Sequence, residues 1–249
     1  MNARPQSRMA GWRERLRRAQ FITHPAGALV FPSHILRSGL CRAIRQHAQA
    51  ITGRVLDYGC GSKPYESLFA GATDYIGIDV AQSGHDHANS KVDVFFDGQT
   101  IPFADGTFDS VVCFEVLEHV PDIGGSLADI HRVLLPGGSL LLSIPFVFPE
   151  HETPYDFRRL TRFGLTQALE QAGFHVEQIT PISSNWLTVQ QHTLRYLTDD
   201  LLSGRSWVAR FLRIPLVAVF NLATYALHPV LPHKDDFPLG YVGFARKPG

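Results

Sequence analysis

The sequence predicts an α/β protein built on an open, mostly parallel sheet. Short apolar runs alternate with helix-like patterns from about residue 52 to 180, the signature of strands joined by crossovers. A Gly-x-Gly turn follows the first run, and an acid closes the second. The first strand, Val55-Leu56-Asp57-Tyr58, leads into Gly59-Cys60-Gly61. A helix is expected at once, with Ser62 as N-cap and Pro64 in its first turn. The second strand, Tyr75 to Asp79, ends eighteen residues after Gly61. Val92 to Phe96 reads as a third strand closed by Asp97-Gly98, and Ser110 to Phe114 as a fourth. A helix starting near Pro121-Asp122 carries Leu127, Ile130, Val133 and Leu134 at helical spacing and stops at Leu135-Pro136-Gly137-Gly138. Ser139 to Ile144 makes a fifth strand, Thr161 to Gln171 a helix, and Phe174 to Ile179 a sixth strand.

The glycine turn lets backbone approach a ligand closely, and the acid at the end of the second strand suits a ribose hydroxyl pair. A nucleoside-containing cofactor therefore belongs at the carboxyl edge of the first two strands. A dinucleotide fingerprint needs a third glycine, where this chain has Pro64. Asp57 ahead of the turn would also repel a pyrophosphate, while it suits a ligand with an ammonium and a sulfonium. S-adenosylmethionine has both charges and no phosphate.

Four motifs in order then set a resemblance. Asp57-Tyr58-Gly59-Cys60-Gly61, Ile101-Pro102-Phe103-Ala104-Asp105-Gly106-Thr107-Phe108-Asp109, Glu115-Val116-Leu117-Glu118-His119 and Pro136-Gly137-Gly138 are similar to those of class I S-adenosylmethionine-dependent methyltransferases, of the type 11-like group. The likeness covers roughly residues 50 to 180. It implies a Rossmann-like, doubly wound sheet of seven strands with an antiparallel last strand. It also implies cofactor roles: Gly59 and Gly61 under the methionine part, Asp57 near its ammonium and Asp79 on the ribose hydroxyls. Asp97 would take the adenine amino group, Gly98 a ring nitrogen through its N–H, and Phe114 would turn a backbone carbonyl toward the ammonium.

Methyl transfer to a hydroxyl needs a base near neutral pH, which points to histidine. The loop Pro145 to Arg159 leaves the carboxyl end of the fifth strand, where ligands of open α/β sheets gather. His151 and Asp156 there, with His119 after the fourth strand, are the candidate catalytic residues. A loop histidine bonding a carbonyl is the plain alternative for each. His85-Asp86-His87 resembles a metal pair without a third ligand, so no metal is expected.

Net charge is zero, which disfavours nucleic acid as a partner. Cys41, Cys60 and Cys113 form no C-x-x-C pair and suit a reducing cytoplasm. The reading divides the chain into a basic arm and lid helix (1–50, the helix from His34) and a methyltransferase domain (51–249) with a helical apolar insertion at 185–231. Residues 1–20 hold six arginines and one acid, with Trp12, Leu16 and Phe21 near one helical face, and no secretory h-region. A terminal strand, Leu239 to Arg246, arrives some sixty residues after the sixth.

Between them Ile214 to Leu231 has eighteen residues without Asp, Glu, Lys or Arg. A span would separate the last strand from its sheet, and Pro215, Asn221, His228 and Pro229 oppose one. The insertion either packs on the catalytic domain or lies at a membrane surface, with Arg205, Arg210 and Arg213 toward headgroups and Trp207 and Phe211 inward. The expected activity is methyl transfer to a hydroxyl, less so to nitrogen or carbon, of a small-molecule, sugar or lipid-linked acceptor. The expected place is the cytoplasm or the inner membrane face, and oligomeric state is open. A non-catalytic S-adenosylmethionine-binding or membrane-associated scaffold protein is the alternative.

Overall fold

The computed structural model describes residues 19–81, 90–203 and 207–249, without the side chains of 207–210. The expectations placed on Trp12, Leu16, His85-Asp86-His87 and Arg205, and on the side chains of Trp207 and Arg210, lie outside the described residues.

Seven strands form one sheet: β1 (Thr52–Tyr58), β2 (Gly71–Val80), β3 (Val94–Phe96), β4 (Phe108–Phe114), β5 (Leu134–Pro145), β6 (His175–Pro181) and β7 (Gly240–Arg246). Their order is β3-β2-β1-β4-β5-β7-β6. The strands from β3 to β5 are parallel, while β7 runs antiparallel to both β5 and β6. Order reverses between β1 and β4, the switch point at which ligands of such sheets bind. The central strands are apolar on both faces because helices cover both: Val55, Leu56, Val111, Val112, Leu140 and Leu141 are all buried.

Helix α1 is His34–His47; α2 is Ile123–Val133, capped by Asp122, whose carboxylate accepts from Gly125 N–H at 3.0 Å. Helix α3, Arg162–Gln171, is capped by Thr161 and stops where Gly173 takes φ +90. Leu127, Ile130 and Val133 of α2 and Leu165 and Leu169 of α3 join the sheet's core. Helix α4 is Asn185–Arg195, continued by one π-helical turn over Tyr196–Leu201, and α5 is Trp207–Leu227.

One expected element is absent. No α-helix follows the glycine turn; a single 3-10 turn, Glu66–Leu68, stands between Gly61 and β2. Ser62 therefore caps nothing and Pro64 opens no helix. β2 starts at Gly71, and the nine residues between, 62–70, are taken up by turns. The Leu135-Pro136-Gly137-Gly138 breaker belongs to β5, with the helix already ended at Val133.

The chain divides into two compact units. One holds Ala43–Ile182 and Pro238–Gly249, which is the sheet with α2 and α3. The described residues of the other are 19–42, 183–203 and 207–237, with α4, α5 and the first nine residues of α1. In this second unit Gln191 accepts from Leu36 N–H at 3.2 Å and donates to the Pro32 carbonyl at 3.0 Å. Asn221, fully buried, donates to the carbonyl of Ala28 at 2.8 Å. The N-terminal segment and the late insertion are thus one packed body. Among the described residues, no helix is long and apolar enough to cross a membrane. Phe211, Ile214, Val219 and Leu222 nevertheless leave α5 exposed along one side.

Candidate active site

β1 delivers Asp57 into the core and stops at the turn. Gly59 N–H and Cys60 N–H both donate to the Ile78 carbonyl, at 2.9 and 3.0 Å, which folds the turn against the end of β2. Gly59 has φ +72, and a Cβ there would stand 2.4 Å from Val116 Cγ2. Gly61, at φ +46, has nothing within 4 Å of where its Cβ would be. The first glycine is required by packing and the second leaves open room over the turn.

Asp79 closes the same corner. Its Oδ2 accepts from Gly61 N–H at 2.9 Å and its Oδ1 from Val80 N–H at 2.8 Å. A carboxylate has about four acceptor positions, so those not used by backbone suit two vicinal hydroxyls. Asp57 is buried and takes one hydrogen bond, from Tyr75 O–H at 2.8 Å. Burial pushes its carboxyl up to about 7, against the Tyr75 bond and the nearby Lys63 charge, which pull it down. Lys63 is ion-paired with Asp93 and donates to the Tyr75 carbonyl at 3.2 Å.

These features fit S-adenosylmethionine. A buried carboxyl can ionise against a cationic group, the turn has open space, and no helix N-terminus backs the glycines to favour phosphate. Asp97 is exposed, and its Oδ1 accepts from Gln99 and Thr100 N–H at 2.8 and 3.0 Å, so it forms its own turn. Gly98 follows at φ +78. Phe114 ends β4, stacked on Phe69 with ring centroids 6.3 Å apart.

The buried state of Asp57 has a measurable consequence. Unfolded, it ionises near its ordinary 3.8; folded and ligand-free, it keeps its proton to about 7. Folding takes up that proton, so this contribution is full below 3.8 and is lost as pH rises to about 7. Asp57→Asn should flatten that slope in thermal melts and raise the ligand-free melting temperature at pH 8. The same variant should bind S-adenosylmethionine more weakly; a melting curve with unaltered pH dependence would refute the buried carboxylate.

The second half of the site follows β4. Glu115 has φ +56 and receives O–H from Ser143 of β5 at 2.7 Å. Val116 then fills the space beside Gly59, so the exit of β4 abuts the glycine turn. Glu118 comes next, fully buried, with neither side-chain oxygen hydrogen-bonded. Burial and the neighbouring Glu115 raise its carboxyl well above the usual range.

His119 and His151 meet there, their rings 4.7 Å apart and edge to face. Their Nε2 atoms lie 3.6 and 3.8 Å from Glu118 Oε1. His119 Nδ1 is 2.9 Å from the Tyr155 carbonyl. Asp156 accepts from His151 N–H at 2.9 Å, lies 3.3 Å from its Nδ1, and takes a two-pronged bond from Arg159 at 2.5 and 2.6 Å. That guanidinium holds the Asp156 carboxyl well below the usual carboxylate range. A carboxyl held so low, tied to the Arg159 guanidinium and the His151 backbone, is poorly suited to take up a proton near neutral pH. Arg158 donates to the carbonyls of Leu117, Val120 and Pro121, pinning the segment that carries Glu118 and His119.

Sequence reasoning pointed to His119, His151 and Asp156, marked Arg158 only as one of the polar residues of the loop, and gave no role to Glu118 or Tyr75. The Glu-x-x-Glu-His spacing was the available signal for Glu118.

Comparisons with known proteins bear on the family and the fold. A family model described as a methyltransferase domain matches residues 33–179. A probable S-adenosylmethionine-dependent methyltransferase of Mycolicibacterium smegmatis is 36% identical over 142 residues, 52% of this chain and 55% of that one. A ubiquinone biosynthesis O-methyltransferase of Aromatoleum aromaticum is 33% identical over 175 residues, covering 59% and 74%. This chain therefore spans little more than half the length of the mycobacterial relative.

Among solved structures, a methyltransferase from Archaeoglobus fulgidus gives a TM-score of 0.52 at 18% identity, covering 85% of this chain and 93% of that one. The [4+2]-cyclase SpnF gives 0.53 at 22%, covering 85% and 81%. At such identities the likeness concerns fold alone, and a cyclase on this fold shows that fold does not decide reaction. The family match and the relatives at 30% identity or more do decide membership: the chain belongs to the S-adenosylmethionine-dependent methyltransferase family.

Proposed function

We propose that this chain moves a methyl group from S-adenosylmethionine to a hydroxyl oxygen of a small-molecule acceptor. The carrying observation is the position of the Glu118–His119–His151 cluster. It stands at the exits of β4 and β5, on the segment that abuts the glycine turn. Bound S-adenosylmethionine supplies an electrophilic methyl carbon. The chain supplies position, which is most of what an in-line displacement requires. Asp79 and the glycine turn hold the adenosyl part, Asp57 the ammonium, and Asp97 and Gly98 border the adenine.

The cluster of imidazoles and carboxylate activates the acceptor hydroxyl, and relatives named O-methyltransferases support a hydroxyl over nitrogen or carbon. The exposed apolar side of α5 supports an apolar or lipid-linked acceptor and contact with a membrane face. A complete set of Asp57, Asp79 and Asp97 speaks against a scaffold that has lost catalysis.

The test is turnover. Purified chain with S-adenosylmethionine should release S-adenosylhomocysteine with one of a panel of phenols, free sugars and a polyprenyl-linked sugar in vesicles. His151→Ala should lose at least about tenfold in turnover, on the low side of general acid–base contributions, while cofactor affinity stays unchanged. Cofactor binding with no turnover on any hydroxylated acceptor would overturn the reading.

A further inference from the structure

Glu118 is a buried carboxyl group without a hydrogen-bond donor. Its side chain is 0% exposed, and both oxygens lack a partner. Burying a carboxylate in this way is costly unless a cation joins it. The nearest groups are two imidazole nitrogens at 3.6 and 3.8 Å, too far for hydrogen bonds. His119 Nε2 is itself buried and unpartnered.

Both rings are anchored from the other nitrogen. The Tyr155 carbonyl, 2.9 Å from His119 Nδ1, can only accept, so the proton belongs on Nδ1 and the Nε2 lone pair points inward. His151 Nδ1 faces two acceptors, the Pro149 carbonyl and Asp156 Oδ2, each at 3.3 Å, and one donor, Arg159 Nη2, at 3.4 Å; the two nearer acceptors favour a proton on Nδ1. Anchored Nδ1–H with Nε2 turned in is how metal-ligating histidines are oriented. Glu118, His119 and His151 each offer one such atom, and all three lie within 4.8 Å of one another.

We infer that Glu118, His119 and His151 form a binding site for one divalent transition-metal cation, zinc above all, on the acceptor side of the proposed methyl-transfer site. Donor type selects the metal: two imidazoles and a carboxylate suit zinc, whereas magnesium and calcium take oxygen shells. Size agrees too. Ligand atoms about 2.1 Å from a tetrahedral zinc stand about 3.4 Å apart; the two spacings to Glu118 Oε1, 3.6 and 3.8 Å, are near that, and all three atoms lie within 4.8 Å of one another, so the rings would have to draw inward on binding. Three protein ligands leave a fourth position, and Glu152, with Oε2 3.9 Å from His119 Nε2, borders it. Glu115 and Glu152 have φ +56 and +50, and backbone strain of this kind gathers at functional sites. The inference rests on the proposed acceptor chemistry for its purpose. A Lewis acid there would lower the pKa of an acceptor hydroxyl.

The experiment is metal titration of the full chain after chelator treatment and dialysis. Zinc should bind at one per chain by calorimetry, and cobalt(II) loading should give visible d–d absorption. Glu118→Gln and His119→Ala should each weaken zinc binding at least about tenfold, as loss of a ligand must when even its outer support costs that much. Magnesium should compete poorly. Melting curves and S-adenosylmethionine binding of each variant, measured alongside, confirm that it folds. If both variants fail to fold, zinc stoichiometry and the cobalt spectrum of the wild type decide alone.

A chain that binds S-adenosylmethionine but takes up less than stoichiometric zinc overturns the metal site and leaves His151 as a direct base. So does zinc affinity unaltered by the substitutions. A chain that binds zinc but no S-adenosylmethionine instead overturns the methyl-transfer reading.

Discussion

Asp79→Ala should raise the dissociation constant for S-adenosylmethionine by roughly 1–3 kcal/mol, about fivefold to a hundred-and-fiftyfold, as expected for stranding hydroxyl donors on a lost carboxylate. The side chain has two jobs. It accepts from Gly61 and Val80 N–H, and its remaining acceptor positions face the ligand side of the turn. Alanine removes both the ribose acceptor and the tie on the glycine turn. Asp79→Asn separates them, since one amide oxygen can still receive Gly61 N–H while the charge is gone. Calorimetry with S-adenosylhomocysteine should rank wild type, asparagine and alanine in that order. Equal affinities would place the ribose elsewhere.

Arg158→Met should destabilise the protein by about 2 kcal/mol, because stranding a buried acceptor costs roughly 1–3 kcal/mol and this guanidinium serves the carbonyls of buried Leu117 and half-buried Val120, besides that of exposed Pro121. Methionine keeps the apolar stem, so packing changes little. For a chain of 249 residues that is a drop of about 4–8 °C in melting temperature. Turnover should fall further than stability predicts, since the clamped segment carries Glu118 and His119. Arg158→Lys keeps the charge but presents a point donor instead of a fork, and should recover only part of the loss. A melting temperature within 1 °C of wild type, a quarter to a half of a kcal/mol, would show that water replaces the clamp.

The cofactor half of the site was legible because its chemistry is local. A strand, two glycines and an acid at a set distance are contiguous in sequence, and central parallel strands read as unbroken apolar runs. The absent helix after Gly61 was not legible, because Ser62 and Pro64 satisfy capping rules whether or not a helix follows them. Asp97 satisfies a turn and a binding motif with the same residue type. Glu118 looked like one charge among several, since nothing in sequence says that its side chain is sealed from water. The union of residues 19–42 with 183–237 also left no trace. It is made by Gln191 and Asn221 reaching backbone carbonyls more than 150 residues away. Asn221 reads in sequence as a flaw in an apolar helix, and in the fold it is the joint.

β7 has a consequence beyond completing the sheet. It is threaded between β5 and β6, so β6 is joined to the other strands only through it. During synthesis residues 175–181 leave the ribosome long before 240–246, and in that interval they have no neighbour to zip onto. The whole of 183–237 must be made, and its ends brought back together, before the open flank of β5 is sealed. A nonsense codon or protease cut just before Gly240 would therefore strip away a second strand that it never touched.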